Sequence, residues 1–228
     1  MVSVTDFFQH FNIAKLIMML VAAAASLFCI TFHELSHGLI AYRLGDPTAK
    51  NAGRLTLNPV KHIDWLGFLM MITIHVGWAK PVPVNMSYFK HPKRDMALTA
   101  LAGPVSNLIL TFFALLIANG ILHFAGSTVG GAYAVVFFLY IAVLSVGLAV
   151  FNLIPVSPLD GSKVLLALLP ERAYYTVLRY ERIGMLIIVI LTWTGVLNVP
   201  LSVLMEWAIK GLCVLSRFPF AVVQELFF

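Results

Sequence analysis

The 228 residues are 61% hydrophobic and only 11% charged, with a mean hydropathy of +0.94. That balance excludes an ordinary soluble domain. The net charge of +5 would suit nucleic acid, but the placement of the basic residues argues against it. Eight Lys/Arg lie from Arg43 to Arg94 and four from Lys163 to Arg182, while residues 119–131 and 198–200 have none. By the positive-inside rule both basic loops face the cytoplasm and the N-terminus lies outside, so the charge is topological.

Four charge-free stretches, 16–32, 96–122, 124–159 and 183–205, are each long enough to cross or nearly cross a bilayer. The expected fold is therefore an all-α integral membrane protein, a polytopic bundle of about four to six spans. The apolar run after Lys15 leads straight into a polar motif, with no removable leader. With no long polar linker and no internal repeat, residues 1–228 read as a single membrane domain.

The first stretch ends in His33-Glu34-Leu35-Ser36-His37. Histidines at i and i+4 share a helix face, so both imidazoles can reach one metal ion. Glu34, beside the first, can take a proton from water activated by that ion, the pattern of zinc hydrolases. Ionisable groups this close to an apolar span cost about 2.5–3.5 kcal/mol each near the bilayer centre, which favours a functional role over a chance cluster. Cys29 is spaced by four from His33 and shares that face. A helix drifts by roughly 40° over each such step, so three consecutive positions do not converge on one ion, and the thiol reads as structural.

Residues 45–95 form the first basic loop. Its 65–79 part is apolar but short, which suggests a re-entrant or interfacial segment. Leu55-Thr56-Leu57 and Pro81-Val82-Pro83-Val84 read as short extended pieces, a β-hairpin between the first two spans. Proline confines the second to an edge strand, and such an edge can hold an extended substrate or merely seal the chamber. His62, His75 and His91 are scattered through this loop and make no second metal site. In the second stretch the small residues Ala100, Ala102, Gly103 and Ser106 allow close helix approach. Asn107 there suits a bond between spans or, alternatively, a place beside the site.

The third stretch closes with Asn152-Leu153-Ile154-Pro155-Val156-Ser157-Pro158-Leu159-Asp160-Gly161. Prolines break the helix, and irregular backbone at membrane depth is tolerated where it is buried or lines a water-filled cavity. A catalytic zinc takes three protein ligands and keeps one position open. Asp160 is the best third ligand, with an ordinary Asp-Gly turn as the alternative, and Gly161 allows a tight turn after the carboxylate. Asn152 can bond the substrate backbone or a developing oxyanion, or else simply tie two spans together. Lys210 and Arg217 fit a C-terminus returned to the cytoplasm, although Glu206 and Lys210 interrupt the last apolar run and leave an interfacial placement open.

His33-Glu34-x-x-His37 followed by Asn152-x-x-Pro155-x-x-Pro158-Leu159-Asp160-Gly161 resembles the site-2 protease family of intramembrane zinc metalloproteases. The segments 45–49, 53–59, 77–85 and 102–107 resemble its compact bacterial branch, without the PDZ or CBS modules of some relatives. Ser157 stands where that family often has proline, and so does Trp65, and neither is a ligand. The resemblance implies one zinc ion on His33, His37 and Asp160, Glu34 as the catalytic base and Asn152 as a polar active-site residue. It implies a transmembrane protein as substrate, the lipid bilayer as surroundings and no nucleic acid. It also implies a multi-pass protein of a bacterial inner or plasma membrane with its site toward the cytoplasm. The residues themselves set no oligomeric state. Two other classes fit a buried His/Asp cluster: a transporter or metal-ion permease, which has no need of Glu34, and a non-catalytic scaffold, which has no need of the ligands.

Overall fold

A computed structural model describes residues 13–65, 67 and 80–228. Two long helices dominate, α1 (Ile13–Arg43) and α3 (Pro92–Ala125), with the single turn α2 (Thr48–Asn51) between them. The helices α4 (Val129–Asn152), α5 (Asp160–Ala167), α6 (Glu171–Arg179), α7 (Glu181–Trp193), α8 (Asn198–Ser216) and α9 (Phe220–Phe227) follow. Among the described residues four helices, α1 from Leu16 onward, α3, α4 and α8, are long and apolar enough to cross a membrane. The chain is a multi-pass membrane protein built as a helical bundle.

At 31 residues α1 is about 46 Å long, well beyond a hydrocarbon core of roughly 30 Å. The helix therefore continues through the His-Glu-x-x-His motif to Arg43 rather than stopping at Phe32, and a rigid element carries the motif. Small residues let its neighbours come close. Ala25 and Cys29 on α1, Ala114 and Ala118 on α3, and Ala142 on α4 are all buried in one core, which Ile209 and Cys213 of α8 and Val223 of α9 complete. Cys29 Sγ lies 3.5 Å from the Ile141 carbonyl, a packed structural thiol. Large apolar side chains such as Phe124, Trp193 and Trp207 point outward and are strongly exposed. That arrangement is costly in water and suited to lipid.

Three expectations change. The 183–205 stretch is not one span: α7 ends at Trp193, Gly195 adopts φ +72°, and α8 begins at Asn198. Met205 of α8 lies against Gly147 near the end of α4, and Asn119 Nδ2, near the far end of α3, donates to the Ser216 carbonyl at 3.4 Å. So α8 runs alongside α3 in the same direction and opposite to α4. Its C-terminal end lies at the end of the bundle away from the motif, not on the side of the basic loops. The α7 helix, about 20 Å long at 1.5 Å per residue, is too short to cross and stays beside the motif end. Gly184 there packs against the Ser157 carbonyl.

The loop between α1 and α3 contains no β-strand among its described residues. Leu55-Thr56-Leu57 forms a bend before a 3-10 turn, Pro59–His62. Residues 80–85 run extended, outside any sheet, into a second 3-10 turn, Met86–Tyr88. Most of the expected re-entrant segment 65–79, including His75, lies outside the described residues.

Candidate active site

His33 and His37 project from one face of α1, and α3 crosses behind them antiparallel. Asp160 enters from the first turn of α5. The chain reaches it from Asn152 by a run of turns that includes a cis Ser157–Pro158 bond. Gly161 is required here for a different reason from the expected turn. Its backbone dihedrals are ordinary, but an added Cβ would stand 2.2 Å from the Leu153 carbonyl oxygen. Only glycine lets the start of α5 fold back onto the end of α4.

Three ligand atoms converge. His33 Nε2 and His37 Nε2 lie 3.0 Å apart, and each is 3.2 Å and 3.1 Å, respectively, from Asp160 Oδ2. Four-coordinate zinc with bonds of about 2.0–2.2 Å sets neighbouring ligand atoms roughly 3.3–3.5 Å apart, so the triangle has the right size. Its chemistry fits as well. His37 Nδ1 is 2.7 Å from the Thr99 carbonyl oxygen, which can only accept. In the neutral ring the proton is therefore on Nδ1, and Nε2 directs a lone pair at a carboxylate oxygen. Two such acceptors repel each other unless a cation lies between them. Lys163 Nζ sits 3.4 Å from the other carboxylate oxygen, Oδ1, which leaves Oδ2 alone to face the histidines. His33 and Asp160 are buried, at 4% and 6% exposure, so this cluster is not a solvated acidic patch. The residues fit a bound metal.

Glu34 points away from α3 toward the extended residues 80–85, and its Oε2 accepts the Val82 N–H at 2.8 Å. Those residues form a strap whose Lys80 N–H donates to the His62 carbonyl at 3.0 Å and which side chains tie at three places. The Arg54 guanidinium donates to the Lys80 carbonyl at 2.6 Å, Glu34 holds Val82, and the buried Asp46 accepts the Asn85 N–H at 2.7 Å. Asp46 also accepts from the backbone N–H of Thr48 at 2.9 Å and from its hydroxyl.

A cavity of about 180 Å³ opens between strap and ligands, lined by Glu34, the three ligand residues, Asn152 and Lys163 among others. Asn152 thus reaches the site as expected, with its Nδ2 already donating to the Leu148 carbonyl at 2.9 Å. A second amide hydrogen and the amide oxygen remain for a bound group.

Behind the candidate ligands α3 presents Gly103 and the Thr99 carbonyl, which the motif reading did not assign to the site, and Asn107, for which it offered a place there as the alternative. A Cβ on Gly103 would come within 2.5 Å of His33 Cε1, His37 Cε1 and His37 Nε2. Asn107 Nδ2 is 3.3 Å from His33 Nδ1, so Asn107 is in the site's surroundings rather than a mere tie between spans. The Thr99 contact uses a backbone carbonyl, for which no side-chain pattern could signal. His62 and His91 stand apart: His62 Nε2 bonds the Thr56 carbonyl at 2.9 Å, and His91 precedes α3.

Comparison with known proteins agrees with this geometry. Residues 118–195 match the model of Peptidase family M50. A Bacillus subtilis (strain 168) protein named "Putative zinc metalloprotease YwhC" is 40% identical over 166 residues, 71% of this chain and 74% of that protein. A Mycolicibacterium smegmatis protein named "Putative zinc metalloprotease Rip2" is 29% identical over 188 residues, covering 81% of this chain and 71% of its own length. No solved structure matches significantly. A relative of this similarity and coverage shows the family: the chain belongs to peptidase family M50, the site-2 proteases, and is an intramembrane zinc metalloprotease. The transporter and scaffold readings are set aside.

Proposed function

We propose that this protease binds one zinc ion per chain through His33, His37 and Asp160 and uses Glu34 as general base. The substrate, on this reading, is a peptide bond within or beside a transmembrane segment of another protein. The observation that carries the reading is the convergence of three lone-pair atoms within 3.2 Å of one another, with the neighbouring carboxylate of Glu34 lining the same cavity.

Zinc, when bound, supplies Lewis acidity that makes water easy to deprotonate near neutral pH and polarises the scissile carbonyl. The Glu34 carboxylate accepts the proton and later returns it to the leaving amine. Its second carboxylate oxygen is free for this while Oε2 holds Val82, and release of the strap frees both. The unused hydrogen of Asn152 Nδ2 can donate to the carbonyl oxygen as it gains charge, or Oδ1 can hold a substrate N–H. Lys163 occupies Oδ1 of Asp160 and leaves Oδ2 directed at the histidines.

A helix shields its own peptide bonds with its internal hydrogen bonds and side chains. A transmembrane segment therefore has to open locally before it can be cut.

The positions of the basic residues support placing the site near the cytoplasmic face of a bacterial cell membrane. A core shared by α1, α3, α4, α8 and α9 supports reading residues 1–228 as one domain.

The test is Glu34→Gln in detergent or liposomes, read as cleavage of a membrane-spanning reporter alongside zinc per chain. The amide keeps the shape and removes the base, so cleavage should fall about 100- to 10,000-fold with zinc retained. Near-normal cleavage with zinc in place would remove Glu34 from the mechanism.

A further inference from the structure

The ligand histidines present two ring nitrogens to the metal side and two to α3. The α3 side is organised by residues 99, 103 and 107, one stripe at four-residue spacing running antiparallel to His37 and His33. His37 Nδ1 meets the Thr99 carbonyl, Gly103 gives both rings room, and His33 Nδ1 meets the side-chain amide of Asn107 at 3.3 Å. Asn107 is fully buried, and its Oδ1 has no hydrogen-bond partner.

The two ends of a carboxamide have nearly the same shape, so chemistry rather than fit assigns them. With the NH₂ group toward the ring, His33 Nδ1 must accept, and the neutral ring's proton moves to Nε2. That proton then points at Asp160 Oδ2 and His37 Nε2, and His33 offers no lone pair to a cation. With the oxygen toward the ring, Nδ1–H donates to Oδ1 and Nε2 presents its lone pair, as His37 Nε2 already does. Either orientation leaves one polar atom of the amide unpartnered, but only the second leaves His33 able to coordinate.

We infer that Asn107 is a positioning residue for the metal site, accepting the Nδ1 proton of His33 through its amide oxygen and so fixing the tautomer that lets His33 bind zinc. Thr99, through its main chain, does the same for His37. Partners of this kind typically hold about 10- to 100-fold of metal affinity.

The inference rests on the zinc assignment above, and one experiment separates the two. Zinc affinity is measured by chelator competition on detergent-purified wild type, Asn107→Ala, Asn107→Asp and His33→Ala, with apo-protein melting as a check on folding. Asn107→Ala should bind zinc about 10- to 100-fold more weakly. Asn107→Asp keeps an acceptor at the ring and removes the unpartnered NH₂ group, so its affinity should stay within roughly threefold of wild type or tighten. Wild-type affinity in Asn107→Ala, or a loss in Asn107→Asp as large as in Asn107→Ala, would overturn the inference. If Asn107→Ala does not fold, a tenfold loss in Asn107→Asp overturns it alone. Undiminished zinc in His33→Ala would instead overturn the ligand assignment and leave Asn107 without its purpose.

Discussion

The two walls of the active-site cavity are built differently. On one side, α1 and α3 press helix against helix, and every contact to the ligands comes from a fixed position on a rigid element: the Thr99 carbonyl, the missing Cβ of Gly103 and the amide of Asn107. On the other side, the strap of residues 80–85 has no helix or sheet of its own. It is held by three charged side chains, Arg54, Glu34 and Asp46, that reach its backbone, and by the Lys80 N–H on the His62 carbonyl at 3.0 Å. The first wall holds both imidazoles from positions on one rigid helix. The second is tied by a few hydrogen bonds to an extended backbone. Glu34 belongs to both, rooted in the rigid helix but bonded to the strap.

Breaking the rigid wall should have the largest effect. Asp160→Ala removes a proposed ligand and leaves Lys163 facing two histidines, so zinc per chain should drop to background by elemental analysis while the protein still inserts in the membrane. Retention of one zinc and full activity would dismiss Asp160 as a ligand.

Gly103→Ala tests the same wall without touching a ligand. Its Cβ lands 2.5 Å from both imidazoles. Overpacking of this kind costs about 1–3 kcal/mol, which is roughly 5- to 150-fold in zinc affinity if the rings absorb it. Chelator competition should show weakened zinc together with lost cleavage. Unchanged affinity would mean that α3 can retreat, and that the wall is softer than described.

The strap should respond in the opposite way. Asp46→Ala leaves the N–H groups of Thr48 and Asn85 without their acceptor, a local cost of about 1–3 kcal/mol. Hydrogen exchange at Val82, Val84 and Asn85 should speed up and KM should change, while zinc affinity stays at the wild-type value. A fall in zinc affinity equal to that of Gly103→Ala would erase the distinction between the walls.

The smallest effect on activity should come from cysteines placed for labelling. Lys50, Ser127, Arg172 and Arg217 are all exposed, and changes there should alter stability by no more than about 0.5 kcal/mol. Lys50→Cys and Arg172→Cys should label from the cytoplasm, and Ser127→Cys and Arg217→Cys from outside. Arg217→Cys labelling with Lys50→Cys would reverse the direction assigned to α8.

Much of this was legible in the chain itself. Hydropathy marks three of the four candidate spans because a backbone in lipid must satisfy its own hydrogen bonds, and a helix does so residue by residue. The spacing of His33 and His37 is a helix period, so it announces a shared face without any tertiary information. Asp160 was legible only as a carboxylate after broken helix, and its partnership with the histidines rested on resemblance. The fourth long apolar stretch misled, because composition does not show that Gly195 turns the chain or that α8 then runs alongside α3.

What only the tertiary structure decided is everything that depends on which surfaces meet. Gly103 reads in sequence as one small residue among several, and only the crossing of α1 and α3 makes it the place where the imidazoles sit. Of the two places open to Asn107, packing selects the one beside His33, and Thr99 enters through a carbonyl that every residue possesses. The strap's bond to Glu34 likewise joins residues 48 positions apart. Periodicity and burial preference are local properties of a chain and can be read along it. The second layer of a metal site is made of contacts between elements distant in sequence, and those exist only once the helices have packed.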